Sequence, residues 1–113
     1  MPRRNRLVES PPFPVEQTIR HLGENLRIAR IRRNMTIAEA AERIGTGPRA
    51  VMDAEKGSAS TGMVVYAALL WLYDKLDQLD EVGDPFMDKE GLSLEAIKER
   101  KRVRRGKGIN SDF

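Results

Sequence analysis

Residues 36 to 57, TIAEAAERIGTGPRAVMDAEKG, place a glycine-threonine-glycine bend between two short runs, and that bend most restricts the folds open to this chain. Thr36 followed by Glu39 is a capping box, in which hydroxyl and carboxylate satisfy amides orphaned at a helix start. Ile37, Ala40, Ala41 and Ile44 recur at i, i+3, i+4 and i+7, so a narrow stripe faces inward while Glu39, Glu42 and Arg43 face water. Gly45 stops that helix. Gly45-Thr46-Gly47 permits only a sharp reversal, and Pro48 suits the first position of a second helix ending at Gly57. The spacing predicts helix, tight turn and helix, with alanines where the two axes must approach closely.

Around this segment the pattern is helical throughout, so the expected class is all-α. Residues 1 to 14 hold four prolines and three arginines without periodicity, which predicts a flexible N-terminal arm outside the core. A first helix follows from about Glu16 to Arg33, with Ile19, Leu22, Leu26 and Ala29 inward and Asn34 at its end; Gly23 weakens it slightly. Ser60 or Thr61 caps a fourth helix, whose MVVYAALLWLY is apolar nearly all round and calls for burial on more than one side. LDQLDEVG supports a short fifth helix with Leu76 and Leu79 inward, closed by Gly83-Asp84-Pro85. The domain therefore runs over residues 15–82. Residues 83–113 form a C-terminal extension with a basic tail, in which Leu92, Leu94 and Ile97 form a short helix or dock, and Gly106 and Gly108 loosen the end.

A five-helix unit of about 65 residues has a small core but can fold alone. With no cysteine among 113 residues, disulfides, thiolate catalysis and zinc-thiolate sites are excluded, and a reducing cytosol is the natural setting. No apolar run approaches the roughly 20 residues that span a bilayer, and the charged, proline-rich start lacks the apolar middle of a secretory signal. A cytoplasmic location is expected. Charge is divided unevenly: Lys98 to Lys107 sets Lys98, Arg100, Lys101, Arg102, Arg104, Arg105 and Lys107 against Glu99, whereas Asp74, Asp77, Asp80, Glu81 and Asp84 stand against Lys75. A basic run beside a globular unit suits a polyanion or an acidic protein, because clustered cations release counterions on meeting phosphate. A solvated tail has the same composition.

On a helical wheel Val51 and Ala54 of the second motif helix point inward, leaving Arg49, Met52, Asp53 and Lys56 outside, the face a DNA major groove would meet. Arg49 can reach guanine O6 and N7, Met52 can lie against a thymine methyl, and Asp53 can accept from cytosine N4. Arg49 and Asp53 also sit at i and i+4, where they can simply pair with each other. Thr36, Thr46 and Gly47 precede helix starts that can hold phosphate, and Arg32, Arg33 and Arg43 can add charge. Arg30 and Glu55 fall at inward positions of their helices, which requires them to pair as a strut. Ile28 and Ile31 lie off the first helix's stripe in line with Met35, as a wider core stripe or a contact surface. Catalysis is not expected. His21 is the sole histidine, the serines lack a nearby base, and the acidic run does not match a calcium loop, so no metal or other cofactor is expected.

LRIARIRRNMT, AERIG and AEKG together resemble the Xre-class helix-turn-helix repressors, compact five-helix, lambda-repressor-like DNA-binding domains, over about Leu22 to Leu79. In that family the last arginine of LRxxR pairs with the glutamate of ExG, which implies the Arg30 to Glu55 pair. Downstream, YAALLWLYDKL and DPFMDKEGLSLEAIKERKRVRR are similar to the HipB-like subgroup, antitoxin-repressors paired with HipA-type serine/threonine kinase toxins. The resemblance implies a homodimer on a palindromic operator upstream of its own operon, holding a kinase toxin inactive. Taken with the readings above, DNA contacts are expected at Thr36, Ile37, Thr46, Gly47, Arg49, Ala50, Met52, Asp53 and Lys56. Many relatives carry glutamine at the position of Ile37 and serine, threonine or arginine at those of Ala50, Met52 and Asp53. Direct base readout is therefore sparse here, which shifts the expectation toward DNA shape or toward protein binding.

Overall fold

The computed structural model describes residues 5–109, with side chains through residue 106. Residues 1–4 of the arm, residues 110–113 and the side chain of Lys107 lie outside the described set. The described chain is all-helical: α1 (Arg6–Glu9), α2 (Phe13–Arg32), α3 (Ile37–Ile44), α4 (Pro48–Glu55), α5 (Met63–Leu72), α6 (Leu76–Asp80), a 3-10 turn (Pro85–Met87) and α7 (Lys89–Ile109). It divides into two units, Met1–Asp80 and Glu81–Phe113. No helix among the described residues is long and apolar enough to cross a membrane.

Four helices of the first unit end by one device. Asn34, Gly45, Gly57 and Asp74 adopt positive φ, and the amide of the following residue bonds back to a carbonyl of the last turn. These bonds run from Met35 to Arg30, Thr46 to Ala41, Ser58 to Asp53 and Lys75 to Leu70, at 2.7 to 3.2 Å. The left-handed residue satisfies carbonyls that a helix end would otherwise orphan. Asn34 and Asp74 serve where glycine is usual because their short polar side chains tolerate that conformation. Starts are less uniform. Asn5 caps α1 through its side chain, Thr36 caps α3 with the full capping box, and α2 and α4 begin on Pro12-Phe13-Pro14 and Gly47-Pro48 with no side-chain cap.

The first unit's core is small and closely spaced: Leu26 and Ala29 from α2, Met35, Ala40 and Ala41, Val51 and Ala54 from α4, then Tyr66, Leu69, Leu70 and Tyr73. Ile19, Leu22, Ile37, Ile44, Val65, Leu72 and Leu79 pack around it. Gly23 is buried at the α2–α4 crossing. A β-carbon there would stand 2.5 Å from the Ala54 carbonyl oxygen, 2.7 Å from that of Glu55 and 2.8 Å from the Gly57 nitrogen. At Gly57, where φ is +70°, a β-carbon would meet the Arg20 Cα at 2.4 Å. The two glycines let α2 and the end of α4 touch backbone to backbone.

Several expectations need correcting. The first helix begins at Phe13 rather than about Glu16, because Pro12 and Pro14 occupy the cap and first turn, where no amide bond is lost. The segment expected to be a flexible arm contains α1, Arg6–Glu9. Gly23 is a packing requirement rather than a weakness. Helix α5 buries one face only: Tyr66, Leu69 and Leu70 are covered, while Met63, Val64 and Trp71 are exposed, Trp71 by 60%. Leu76 of α6 is exposed, and Ile28 and Ile31 are exposed although Met35 joins the core. In the second unit, α7 runs through Gly106 and Gly108 instead of stopping before the basic run. Its first turn is set by Asp88, whose carboxylate accepts from the Gly91 amide at 2.8 Å.

Candidate nucleic-acid interface

The three-residue link between α3 and α4 works as its residue types require. Gly45 sits at φ +83°, and the Thr46 amide is spent on the Ala41 carbonyl. Gly47 is extended, with open space where a β-carbon would stand, so a bulky group can approach its backbone. The N-terminus of α4 offers few donors, since Pro48 has no amide hydrogen and the Ala50 amide bonds to the Gly47 carbonyl. At α3, the Glu39 amide donates to the Thr36 hydroxyl at 3.0 Å and the Thr36 amide to the Glu39 carboxylate at 3.4 Å. Both helix starts are therefore leaner phosphate cradles than the sequence pattern suggests.

Helix α4 has two unlike faces. Val51, Ala54 and Glu55 are buried, whereas Arg49, Met52 and Lys56 are exposed and Asp53 half-buried. Ala50, Ile37 and Thr46 are half-buried; Thr36 and Gly47 are exposed. The Arg49 side chain is 85% exposed, with Nε 3.5 Å from an Asp53 carboxylate oxygen. An exposed pair of this kind contributes about 0.3–0.5 kcal/mol at most, so it does not bar Arg49 from turning to a ligand.

The buried face of α4 is held by charge as well as packing. Arg30 donates from Nε to Glu55 at 2.7 Å and from Nη2 at 3.0 Å, a bidentate pair, and its remaining Nη1 reaches the Met35 carbonyl at 2.8 Å. The two side chains are 12% and 6% exposed. One guanidinium thereby ties α2, the link into α3 and the last turn of α4, which fixes the angle at which α4's outer face is presented. The hydrogen bond to Glu55 holds the Arg30 guanidinium above its ordinary range, against the opposing effect of burial.

Two further residues were not recognisable as positioning groups from the sequence. Arg33 donates to the carbonyls of Ala29 and Tyr73, both at 3.0 Å, with its guanidinium carbon 5.5 Å from the Tyr73 ring centre. It clamps the ends of α2 and α5, so although it is exposed like Arg32 and Arg43, its donors are already engaged and less available for phosphate. Tyr66 donates to the Ser58 carbonyl at 3.0 Å and pins the turn after α4. Only its apolar helix position was visible beforehand. Burial pushes the Tyr66 and Tyr73 hydroxyls above the usual phenol range, and the nearby Glu55 carboxylate adds to the effect at Tyr73. The Tyr73 hydroxyl is buried with no hydrogen-bond partner among the described residues.

The basic residues expected to meet phosphate or a partner, Lys98, Arg100, Lys101, Arg102, Arg104 and Arg105, lie exposed on α7 in the second unit, while the α4 face belongs to the first. No protein family, curated protein or solved structure was found to match this chain.

Proposed function

We propose that this chain is a sequence-specific DNA-binding repressor whose first unit is a five-helix, lambda-repressor-like domain of the Xre class. The observation that carries the reading is the division of α4. Its inner face is locked to α2 by the Arg30–Glu55 pair and the Gly23–Gly57 contact, and its outer face presents Arg49, Met52 and Lys56 to solvent behind a glycine-threonine-glycine turn. A rod fixed on one side and bare on the other suits entry into a major groove, where Arg49 meets guanine and Met52 a thymine methyl. With Ala50, Met52 and Asp53 offering few base-reading groups, more of the specificity rests on DNA shape. The exposed Val64 and Trp71, seven residues apart on α5, support a homodimer, and a dimer matches a palindromic operator. By resemblance, the partner is a HipA-like kinase toxin, the protein autoregulates the operon as its antitoxin, and it acts in the cytoplasm.

The second reading is a protein-interaction module that neutralises a toxin without specific DNA binding. The sparse base-reading groups on the outer face of α4, where Ala50 and Met52 offer no hydrogen-bonding side chain, favour it. Arg49→Ala separates the readings: footprinting of the upstream DNA and co-purification with the operon neighbour are measured together. Lost protection with an intact protein complex supports the repressor. Unchanged protection overturns the groove-reading role of α4, and a neighbour that is no kinase leaves a repressor without a toxin.

A further inference from the structure

The densest charge in the described chain lies on a helix that the reading of α4 leaves unused. Between Lys98 and Gly106, α7 carries Lys98, Arg100, Lys101, Arg102, Arg104 and Arg105, all exposed, against Glu99. Of these six cations only Arg102 is ion-paired among the described residues, to Glu99 at 3.7 Å through two exposed side chains. At about 100° and 1.5 Å per residue, Arg100 and Arg104 follow one flank, Lys98, Arg102 and Arg105 the opposite flank, and Lys101 lies between. Leu92, Ala96 and Val103 form a narrow apolar line on the remaining side.

The composition of this face selects its occupant. A protein groove or a lipid surface needs large apolar anchors at helical spacing, and between Lys98 and Gly106 Val103 alone is apolar. Phosphates need only cations at matching separations. A helix with its side chains is about 10–12 Å across and the major groove about 12 Å wide, so cations on two opposite flanks face the phosphates of both strands. Because the segment is already helical, binding does not have to order it.

We propose that the C-terminal half of α7 is a second duplex-DNA-binding element, a preformed basic helix that lies along the major groove and contacts both phosphate backbones by charge rather than by base reading. The proposal rests on the reading of this chain as a DNA-binding protein, but on none of the residues of α4.

The test uses the full chain and a labelled short duplex of arbitrary sequence, with affinity followed by fluorescence anisotropy across salt concentrations. Replacing Arg100→Gln, Lys101→Gln and Arg104→Gln together removes three phosphate contacts, which lowers the log–log salt slope by about 2.7 and weakens low-salt affinity by on the order of tenfold or more. Lys98→Gln with Arg102→Gln and Arg105→Gln, on the other flank, gives the same result and serves if the first variant loses helix content by circular dichroism. Unchanged slope and affinity in both variants overturn the proposal. So does a variant that keeps its DNA affinity but loses self-association in sedimentation, which assigns the cations to the acidic surface of a second copy. The α4 reading fails differently: upstream DNA shows no protected sequence while arbitrary duplex still binds through α7.

Discussion

Removing the Glu55 carboxylate tests whether α4 is held by a buried charge pair. Glu55→Ala leaves the Arg30 guanidinium in a site where it is only 12% exposed, with the Met35 carbonyl as its one remaining acceptor. Breaking a buried pair from one side costs about 3–5 kcal/mol, and the surviving Met35 bond and edge hydration of Arg30 place the cost near the lower end. At about 4–8 °C per kcal/mol for a domain of this size, a loss of about 3 kcal/mol lowers Tm by about 12–24 °C. A double replacement, Arg30→Met with Glu55→Leu, removes both charges and costs less than the two single changes added together. Thermal and urea unfolding followed by circular dichroism read all four corners of the cycle. A Glu55→Ala protein with unaltered Tm, or a double variant whose loss equals the sum of the singles, refutes the strut.

Gly23→Ala in an ordinary helix would stabilise by about 1 kcal/mol, but here the new methyl meets three backbone atoms within 2.8 Å, so a loss of about 2 kcal/mol or more is expected from the urea midpoint. Tyr73→Phe removes a buried hydroxyl without a partner and leaves stability unchanged or raised by about 1 kcal/mol; a clear loss in the same assay would mean that the hydroxyl is bonded. Tyr66 and Tyr73, the chain's two tyrosines, have folded pKa values above their unfolded ones, so the folded state holds its phenol protons longer. The stability that this contributes is complete below about pH 10 and is lost as pH rises through the folded values. Tyrosinate absorbance should therefore rise late and together with the loss of helical signal, and two tyrosines titrating near pH 10 in a still-folded chain would contradict it.

Local chemistry carried most of the helix plan. The Thr36–Glu39 box, the Gly45 and Gly57 stops and the inward alanines of α3 and α4 are short-range signals, each acting within one turn, so they are readable without knowing what packs where. The Arg30–Glu55 pair was readable for a related reason, since two opposite charges at inward positions leave few alternatives to pairing. Boundaries near proline were not. Pro12 and Pro14 read as breakers but stand in the cap and first turn of α2, where a proline loses nothing, and only the built helix distinguishes those roles. Gly106 and Gly108 likewise read as loosening points, although the helix formers around them carry α7 through both.

What the residues determined on their own was therefore local: helices, their caps, the sharp α3–α4 turn and the outward placing of Arg49, Met52 and Lys56. The tertiary structure decided which elements meet. It brought Gly23 against Gly57 so that backbones touch, spent Arg33 on the carbonyls of Ala29 and Tyr73, and covered one side of α5 while leaving Trp71 in solvent. Those outcomes depend on contacts between residues far apart in the chain. Periodicity within a helix reports which side is apolar, whereas what lies opposite that side is set only when the whole unit packs.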